Sequence, residues 1–347
     1  MKQTVAQQAP APGRAQFVDL HPAAADMLRL VQEGMARQPR QLPAWLLYDA
    51  TGSQLFEQIC EQPEYGLTRN ETQLLEHQAS AIAQAVGAHG LGDGGGVVVE
   101  FGAGNARKVG PLLQALAPAG YVALDISAEH LQAACDALQS EHPAVPMLGI
   151  CCDYSALAAL PAAPLLALRP RLGFYPGSSL GNFEPVEAQR LLGQFRRLLG
   201  PGSKLLIGID QPKPVERLEA AYNDAAGVSA AFARNLLVRL NHDLGGSFDP
   251  EAFRYEARWQ AEHSRIAMAL ISERQQSIAL AGTTWHFAPG EPLITEYSVK
   301  YSPQAFAALA TSAGWRQEQS WSDPAGDLSV HLLGQADSAS PTGSEQP

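Results

Sequence analysis

Two closely spaced glycines follow a short apolar run in the stretch VVVEFGAGNARK, residues 97–108. The run predicts a buried strand, and Gly102 and Gly104 predict a tight turn whose backbone comes close to a ligand. A dinucleotide fingerprint would place a third glycine where Arg107 stands. The turn therefore favours a cofactor without a pyrophosphate, such as S-adenosylmethionine. Lys108 could approach the carboxylate of that cofactor or pair with a neighbouring acid.

Two aspartates follow the next two predicted strands. Asp125 ends the strand YVALD about twenty residues after the glycines, where a carboxylate accepts from both ribose hydroxyls of a nucleotide. Asp153 follows MLGICC, where a carboxylate can accept from the adenine amino group, and Tyr154 beside it could line the ring. Each aspartate alone would more often be a helix cap, but the series favours a nucleotide-like cofactor. NAD would also need an acid at Asp125, so an NAD-dependent oxidoreductase stays open as an alternative.

The elements that carry these residues alternate between apolar strands and amphipathic helices from residue 97 to residue 210. This order predicts an α/β fold with a parallel, Rossmann-like sheet and ligands at the carboxyl ends of its strands. The first of these helices is predicted over 106–117. The last segments, WRQEQSWSD and DLSVHLL, predict a hairpin that closes the sheet, which is the ending of a class I methyltransferase sheet. Upstream, Thr68 stands three residues before Glu71, the pattern of a capping box.

The alternation stops after Asp210, which indicates an insertion. Residues 212–243 predict a helix and 253–298 predict several strands, so we expect an inserted α+β substrate-binding domain. Segments poor in large apolar residues predict disorder at both ends. The predicted division is a disordered tail over 1–20, a cofactor-binding domain with an N-terminal helical segment over 21–210, the insertion over 211–300, the returning helix and hairpin over 301–334, and a disordered tail over 335–347.

Composition excludes several classes of function. The net charge is −11 and no dense run of Lys or Arg occurs, which argues against nucleic-acid binding. No segment has the apolar length of a signal peptide or a membrane span, so we expect a cytoplasmic protein that acts on a small molecule, as a monomer. The histidines form no HxxxH or HExxH pattern and the cysteines no CxxC pair, so we expect no metal.

Longer stretches carry a more specific signal. FYPGSSLGNFEP, AYNDAAGVSAAFARNLL and TEYSVKY, in this order, resemble the histidine-specific Nα-methyltransferases of ergothioneine biosynthesis. The resemblance begins near LPAWLLYDATG and continues to WSDPAGDLSVHLL, so it covers nearly the whole chain outside its ends. It implies S-adenosylmethionine as methyl donor and the conversion of L-histidine to its trimethyl betaine, hercynine.

The resemblance also implies roles for individual residues. Asn182 and Tyr222 would hold the substrate carboxylate, and Tyr65 would lie at the amino group, which makes Tyr65 and Asn182 the catalytic pair. On the substrate side, Glu296 and Ser298 would bind the imidazole, Met268 would pack against it, and Gly177 would let the substrate backbone approach. On the cofactor side the matching positions are Tyr48, Gly102, Lys108, Asp125, Asp153 and Tyr154, and Gly104 joins them from the glycine turn.

Some positions depart from the family pattern, and some alternatives stay open. Gly66 and Leu67 stand where a second aromatic and a proline are expected, and Ala267 where an acid is common, which could alter the entrance and the affinity. The same chemistry on another amino acid or on a histidine derivative remains an alternative. A catalytically silent module that binds S-adenosylmethionine is a further one. Each tyrosine, Met268 and Glu296 taken singly also has an ordinary structural interpretation.

Overall fold

The structure, a computed structural model, describes residues 14–22, 24–87, 91 and 95–336. Its helices are α1 (Ala24–Met35), α2 (Ala50–Glu61), α3 (Gly66–Gly87), α4 (Gly110–Leu116), α5 (Ala128–Glu141), α6 (Pro185–Leu199), α7 (Val215–Tyr222), α8 (Val228–Leu244) and α9 (Pro303–Ser312). Its strands are β1 (Gln16–Asp19), β2 (Arg40–Gln41), β3 (Val97–Phe101), β4 (Gly120–Asp125), β5 (Met147–Cys151), β6 (Arg171–Tyr175), β7 (Lys204–Asp210), β8 (Phe253–Gln260), β9 (Arg265–Ser272), β10 (Gln276–Leu280), β11 (Thr283–Phe287), β12 (Pro292–Val299), β13 (Trp315–Ser322) and β14 (Leu328–Gln335).

The large sheet has eight strands in the order β1-β5-β4-β3-β6-β7-β14-β13. Strands β5, β4, β3, β6 and β7 run parallel, and the hairpin β13–β14 adds antiparallel to β7. The predicted class I methyltransferase fold is therefore confirmed. Because β3 has β4 on one side and β6 on the other, the strand order reverses at β3. The carboxyl end of β3 is thus the topological switch point where ligands bind in open α/β sheets.

The large sheet also contains a strand from the N-terminal end of the chain. Gln16–Asp19 pairs parallel with β5, and Phe17 lies over Gly149, where an added Cβ would approach its ring to 2.9 Å. The prediction of disorder up to residue 20 is therefore wrong for this strand, because the missing side chain of Gly149 opens a site for an aromatic ring. The second predicted tail, 335–347, is wrong at its first residue, because Gln335 ends β14 and pairs with Trp315. Residues 1–13 and 337–347 lie outside the described residues.

A second sheet of four strands has the order β2-β12-β9-β8, and β10 and β11 form a separate hairpin. Helices α7 and α8 pack on β8 and β9. Because β1 pairs with β5 in the large sheet and β2 pairs with β12 in the second sheet, the N-terminal segment contributes to both sheets. The division into domains at residues 210 and 300 stays a prediction.

Two predicted helices differ from those observed. The helix predicted over 212–243 is two helices, because the Asp224 carboxylate accepts from the backbone N–H groups of Val228 and Ser229 at 2.7 and 2.8 Å and starts α8 anew. The helix predicted from residue 106 begins only at Gly110. The turn after β3 therefore extends from residue 102 to residue 109, and its backbone lies at the switch point. No helix in the described part of the chain is long and apolar enough to span a membrane.

Candidate functional site

Two adjoining cavities lie at the carboxyl edge of the large sheet. The outer cavity has a volume of about 550 Å³ and contains the ends of β3, β4 and β5. This volume is within the range of small-molecule sites. The inner cavity, of about 60 Å³, lies against β9 and β12 of the second sheet. The residues that line both cavities are Tyr48, Phe56, Tyr65, Gly177, Ser179, Asn182 and Glu296.

The residues predicted from the sequence gather around these cavities. Those assigned to the cofactor line the outer cavity: Tyr48, Gly102, Gly104, Lys108, Asp125, Asp153 and Tyr154. Those assigned to the substrate line the inner cavity: Tyr65, Gly177, Asn182, Tyr222, Met268, Glu296 and Ser298. The structure thus gathers both predicted sets around two connected cavities, with Tyr222, Met268 and Ser298 lining only the inner one, while the role of each residue stays a prediction.

The glycine turn forms one wall of the outer cavity. Gly102 and Gly104 have φ angles of +71° and +54°, in the left-handed region that favours glycine. A Cβ on Gly104 would meet no atom within 4 Å, so its backbone faces open space, whereas one on Gly102 would touch the Tyr154 hydroxyl at 3.4 Å. An uncovered backbone of this kind suits close approach by a ligand.

Asp125 and Asp153 place carboxylates at neighbouring strand ends. Asp125 accepts from the N–H of Gly104 at 2.9 Å and from that of Ser127 at 3.1 Å, so it also holds the glycine turn in place. Burial raises the pKa of Asp125 above its ordinary value, although these backbone donors lower it. Asp153 accepts from the N–H and the hydroxyl of Ser155, both at Oδ1. Asp153 therefore closes an Asx turn rather than capping a helix, and its Oδ2 is the oxygen that can face a ligand.

Lys108 pairs with an acid inside the protein. Its Nζ lies 2.6 Å from Glu71, whose side chain is fully buried. The same carboxylate accepts from the N–H of Gly177 at 2.8 and 3.0 Å. The predicted capping box with Thr68 is therefore wrong, because Glu71 points into the core, where Gly208 leaves room for it. Because the N–H of Gly177 is bonded to Glu71, it is not available to a substrate, and Ser179 Oγ and Lys108 Nζ lie 3.3 and 3.5 Å from the position of its missing Cβ.

The alternation of side chains along a strand places the residues predicted to bind the substrate imidazole on one face of the second sheet. Glu296 pairs with Met268 across the β12–β9 ladder, and Ser298 lies two residues further on the same face. Tyr297 pairs with Ala267, and both belong to a small apolar cluster on the opposite face. A register shift just before Glu296 marks a bulge, which re-aims side chains at a sheet edge. Ala267, one of the departures from the family pattern, therefore lies behind the site.

Glu296 is a buried carboxyl with a single neutral partner. Its Oε1 accepts from Asn182 Nδ2 at 2.7 Å. Burial raises the pKa of Glu296 to about 8, although the charge of Lys300 lowers it. Asn182 reaches Glu296 because its turn packs against β12, where a Cβ on Gly181 would lie only 2.6 Å from the carbonyl oxygen of Val299. Burial therefore favours the protonated form of Glu296 near neutral pH.

The other polar part of the inner cavity is a pair of hydroxyls backed by a buried cation. The Tyr222 hydroxyl lies 2.8 Å from Ser298 Oγ. Lys300 Nζ donates to both, at 2.7 and 2.6 Å, and lies 2.6 Å from Asp210. Burial opposes the charge on Lys300, but Asp210 raises its pKa above the ordinary value. Burial also acts against the ionised form of Asp210, yet Lys300 and Lys213 lower its pKa.

Tyr65 lies between the two cavities in an aromatic setting. Its ring packs edge-to-face against Tyr222, with centroids 5.9 Å apart, and against Phe56. Burial raises the pKa of Tyr65 well above its ordinary value, so its hydroxyl keeps its proton at neutral pH. Of the two departures beside it, Gly66 begins α3 and Leu67 lines the inner cavity. The aromatic wall comes from α2 and α8 instead, through Phe56 and Phe232.

Sequence patterns did not indicate Glu71, Lys300, Asp210 or Glu100 as parts of the site. Glu71 matched a capping box, and the family-like stretch TEYSVKY contains Lys300 but implied no role for it. Glu100 lies within β3, two residues before Gly102; it is buried, accepts from the Tyr121 hydroxyl at 2.6 Å and has its pKa raised by burial to about 8. The available signal was a charged residue within an apolar strand, which predicts a buried partner.

One group of side chains in the described residues has ligand atoms close enough for a metal ion. Asp19, His21 and Cys151 place these atoms within 4.8 Å of one another. Cys151 lies 3.2 Å from His21 Nδ1 and donates to the carbonyl of Ile126. Burial raises the pKa of Cys151 to about 12, which keeps the thiol protonated and makes it a poor metal ligand. The group lines neither cavity.

Comparisons with known proteins cover both cavities. A family model described as "Histidine-specific methyltransferase, SAM-dependent" matches residues 27–335, a span that contains every residue lining them. The chain is 36% identical to the Histidine N-alpha-methyltransferase of Mycolicibacterium smegmatis over 92% of this chain and 98% of that protein. It is 35% identical to the protein of the same name from Mycobacterium tuberculosis, over 88% of this chain and 93% of that protein. Ergothioneine biosynthesis protein 1 of Neurospora crassa is 31% identical over 85% of this chain but only 33% of its own length.

Proposed function

Since the chain belongs to the histidine-specific, S-adenosylmethionine-dependent methyltransferase family, we propose that it transfers three methyl groups to the α-amino nitrogen of L-histidine and forms hercynine. The observation that carries this proposal is the polar pair on an otherwise apolar sheet face. Glu296, held by Asn182 at 2.7 Å, and Ser298, held by Tyr222 at 2.8 Å, lie two residues apart on β12. A carboxyl and a hydroxyl side by side match a ring with two nitrogens.

The outer cavity fits the cofactor. S-adenosylmethionine supplies a methyl group on a positively charged sulfur. We propose that Asp125 accepts from the ribose hydroxyls and that Asp153 accepts from the adenine amino group through its free oxygen. The uncovered backbone at Gly104 gives the cofactor a place to lie, since nothing occupies the 4 Å around its missing Cβ. Tyr154 and Tyr48 add aromatic surface to the outer cavity, and Tyr48 also lines the inner one.

Glu296 and Ser298 are proposed to bind the imidazole, with Met268 packed against it. A ring N–H that donates to Glu296 favours the ionised carboxylate, so substrate binding would lower the raised pKa of this group. Removal of the carboxylate would leave a buried ring donor unpaired, which costs about 1–3 kcal/mol. Histidine would then lose its advantage over amino acids with apolar rings.

The amino-acid end of the substrate is proposed to bind at the boundary of the cavities. Tyr222 and Asn182 donate to its carboxylate, and Tyr65 lies at its amino group. Because Tyr65 stays protonated at neutral pH, we assign it to orienting the amine rather than to removing a proton. Alignment of the amine lone pair and exclusion of water can supply much of the rate enhancement of a methyl transfer. Because the α-amino group is an ammonium at neutral pH, it must lose a proton to solvent before each of the three transfers, and the adjoining outer cavity has space for the added methyl groups.

Mass spectrometry of L-histidine incubated with the protein and S-adenosylmethionine tests this function. We expect mass gains of one, two and three methyl groups, and Glu296→Ala and Asn182→Ala should each lower kcat/KM about tenfold to a hundredfold. Glu256→Ala is the matched control, since Glu256 lies on β8 of the same sheet and lines neither cavity.

Three outcomes would contradict the proposal in distinguishable ways. Methylation of tryptophan without any methylation of histidine would assign another acceptor. A rise in melting temperature with NADH but not with S-adenosylhomocysteine would favour an oxidoreductase. Binding of S-adenosylhomocysteine with no product from an amino-acid panel would indicate a silent module. The monomeric state and the cytoplasmic location remain predictions, and sedimentation and cell fractionation test them.

A further inference from the structure

Lys300 is a buried cation that touches neither cavity directly. Its side chain has no exposed surface, and it follows the last residue of β12. All three protons of its ammonium group have an acceptor in the structure. One bonds Asp210 at 2.6 Å, and the other two bond the hydroxyls of Tyr222 and Ser298 at 2.7 and 2.6 Å. The two hydroxyls, unlike Lys300, line the inner cavity.

The proton count of this cluster determines what the hydroxyls offer to a ligand. An ammonium group can only donate, so the oxygens of Tyr222 and Ser298 must each accept from Lys300. The bond between the two hydroxyls uses one of their two protons and one more lone pair. One proton and one lone pair are left to face the cavity. Without Lys300, the same pair would face the cavity with one proton and three lone pairs.

The charges of the groups around Lys300 favour the same donor role of the two hydroxyls. Asp210 is shared between two cations, since Lys213 Nζ lies 2.6 Å from its other oxygen. The cluster of Lys300, Lys213 and Asp210 therefore has a net charge of +1 directly behind the hydroxyls. A cation behind a hydroxyl strengthens its donation and disfavours a ligand N–H that points at the hydroxyl oxygen.

We propose that Lys300 is a positioning residue: it occupies one lone pair of Tyr222 and one of Ser298, so that both hydroxyls donate to the substrate once the substrate's acceptors replace the bond between the two hydroxyls. The site then selects an amino acid that presents a lone pair to each of them, namely a carboxylate oxygen at Tyr222 and an unprotonated ring nitrogen at Ser298. Asp210, at the end of β7, holds Lys300 in place and ties the large sheet to the second sheet. This inference deepens the proposed function and rests on it.

The test compares Lys300→Met with Lys204→Met. Lys204 is the matched control, because it is also a buried lysine with a carboxylate partner, Glu318 at 2.6 Å, but lies at the opposite end of β7 from Asp210. Two acceptors are compared: L-histidine and 3-(2-thienyl)-L-alanine, whose ring has no acceptor nitrogen. Binding of S-adenosylhomocysteine, measured by calorimetry, reports on folding and on the outer cavity.

Lys300→Met should raise the KM for L-histidine about tenfold and reduce the preference for histidine over thienylalanine by a similar factor, since one directed hydrogen bond is lost. The affinity for S-adenosylhomocysteine should not change, and Lys204→Met should change neither KM nor preference. If Lys300→Met binds S-adenosylhomocysteine normally and keeps both KM and preference, the proposal is overturned. If Lys300→Met does not fold, Asp210→Asn/Lys300→Met removes both charges of the pair and is judged by the same criteria.

A double-mutant cycle with Ser298→Ala separates positioning from general structure. If Lys300 acts through Ser298, Lys300→Met should change the ring preference by less than twofold when Ser298 is already alanine. Independent, additive losses would overturn the proposal. If the wild-type protein trimethylates histidine but the losses in the double-mutant cycle are additive, only the inference about Lys300 is rejected. Wild-type protein that leaves histidine unmodified rejects the proposed function and, with it, the inference.

Discussion

Replacement of Glu296 by glutamine should remove a pH-dependent part of the stability of the unliganded protein. Burial raises the pKa of Glu296 from 4.5 to about 8, so the folded protein holds this proton more tightly than the unfolded chain does. The resulting stability is fully present below pH 4.5 and is lost as the pH rises through about 8. Glutamine keeps an oxygen for Asn182 Nδ2 but has no proton to lose.

The size of the effect follows from the two pKa values. Each unit of pH between them changes the free energy of unfolding by about 1.4 kcal/mol, so wild type should lose about 2–3 kcal/mol relative to Glu296→Gln between pH 6 and pH 9. For a chain of 347 residues this corresponds to about 4 °C in melting temperature. Glu100, whose pKa is also raised to about 8, is present in both proteins, and its contribution cancels in the difference.

The assay is thermal and denaturant unfolding of both proteins at several pH values, without cofactor or substrate. The difference in stability between them should be nearly constant above pH 9 and should shrink toward pH 5. If plots of stability against pH for the two proteins run parallel over the whole pH range, Glu296 ionises as an exposed carboxyl does. The inner cavity would then be solvated, and the argument for its selectivity would lose its basis.

Three further changes test other parts of the site. Glu71→Gln should destabilise the fold by about 3–5 kcal/mol in denaturant unfolding, because it removes the partner of partly buried Lys108, and an unchanged midpoint would contradict this. Gly181→Ala should raise the KM for histidine about tenfold, because its Cβ would lie 2.6 Å from a backbone oxygen of Val299 and would shift the neighbouring Asn182. The affinity for the cofactor should stay the same. A crystal structure of this variant with Asn182 unmoved would refute the prediction. Asp125→Asn should weaken S-adenosylhomocysteine binding about tenfold by calorimetry, and equal affinity would reject its assignment.

Much of the fold could be predicted because its signal is local. Apolar runs that alternate with amphipathic helices require a parallel sheet covered on both faces, and the glycines after β3 and the aspartates after β4 and β5 mark the ends of adjacent strands. The strand Gln16–Asp19 was missed because it is short and is stabilised by a groove over Gly149, far away in the sequence. The break between α7 and α8 was missed because a capping aspartate inside a helical pattern is a weak signal.

The sequence by itself determined which chemical groups stand at the strand ends. Through family motifs, it also indicated which residues to expect around the methyl acceptor. Those motifs are local in the chain, and so is the strand period that puts Glu296 and Ser298 on one face. Only the tertiary structure decided the partners of buried charges. Glu71 pairs with Lys108 and Gly177, and Lys300 pairs with Asp210, across separations that no local pattern encodes. The physical reason is that a buried charge must find an opposite charge or a donor in space, and that partner exists only once both sheets are assembled.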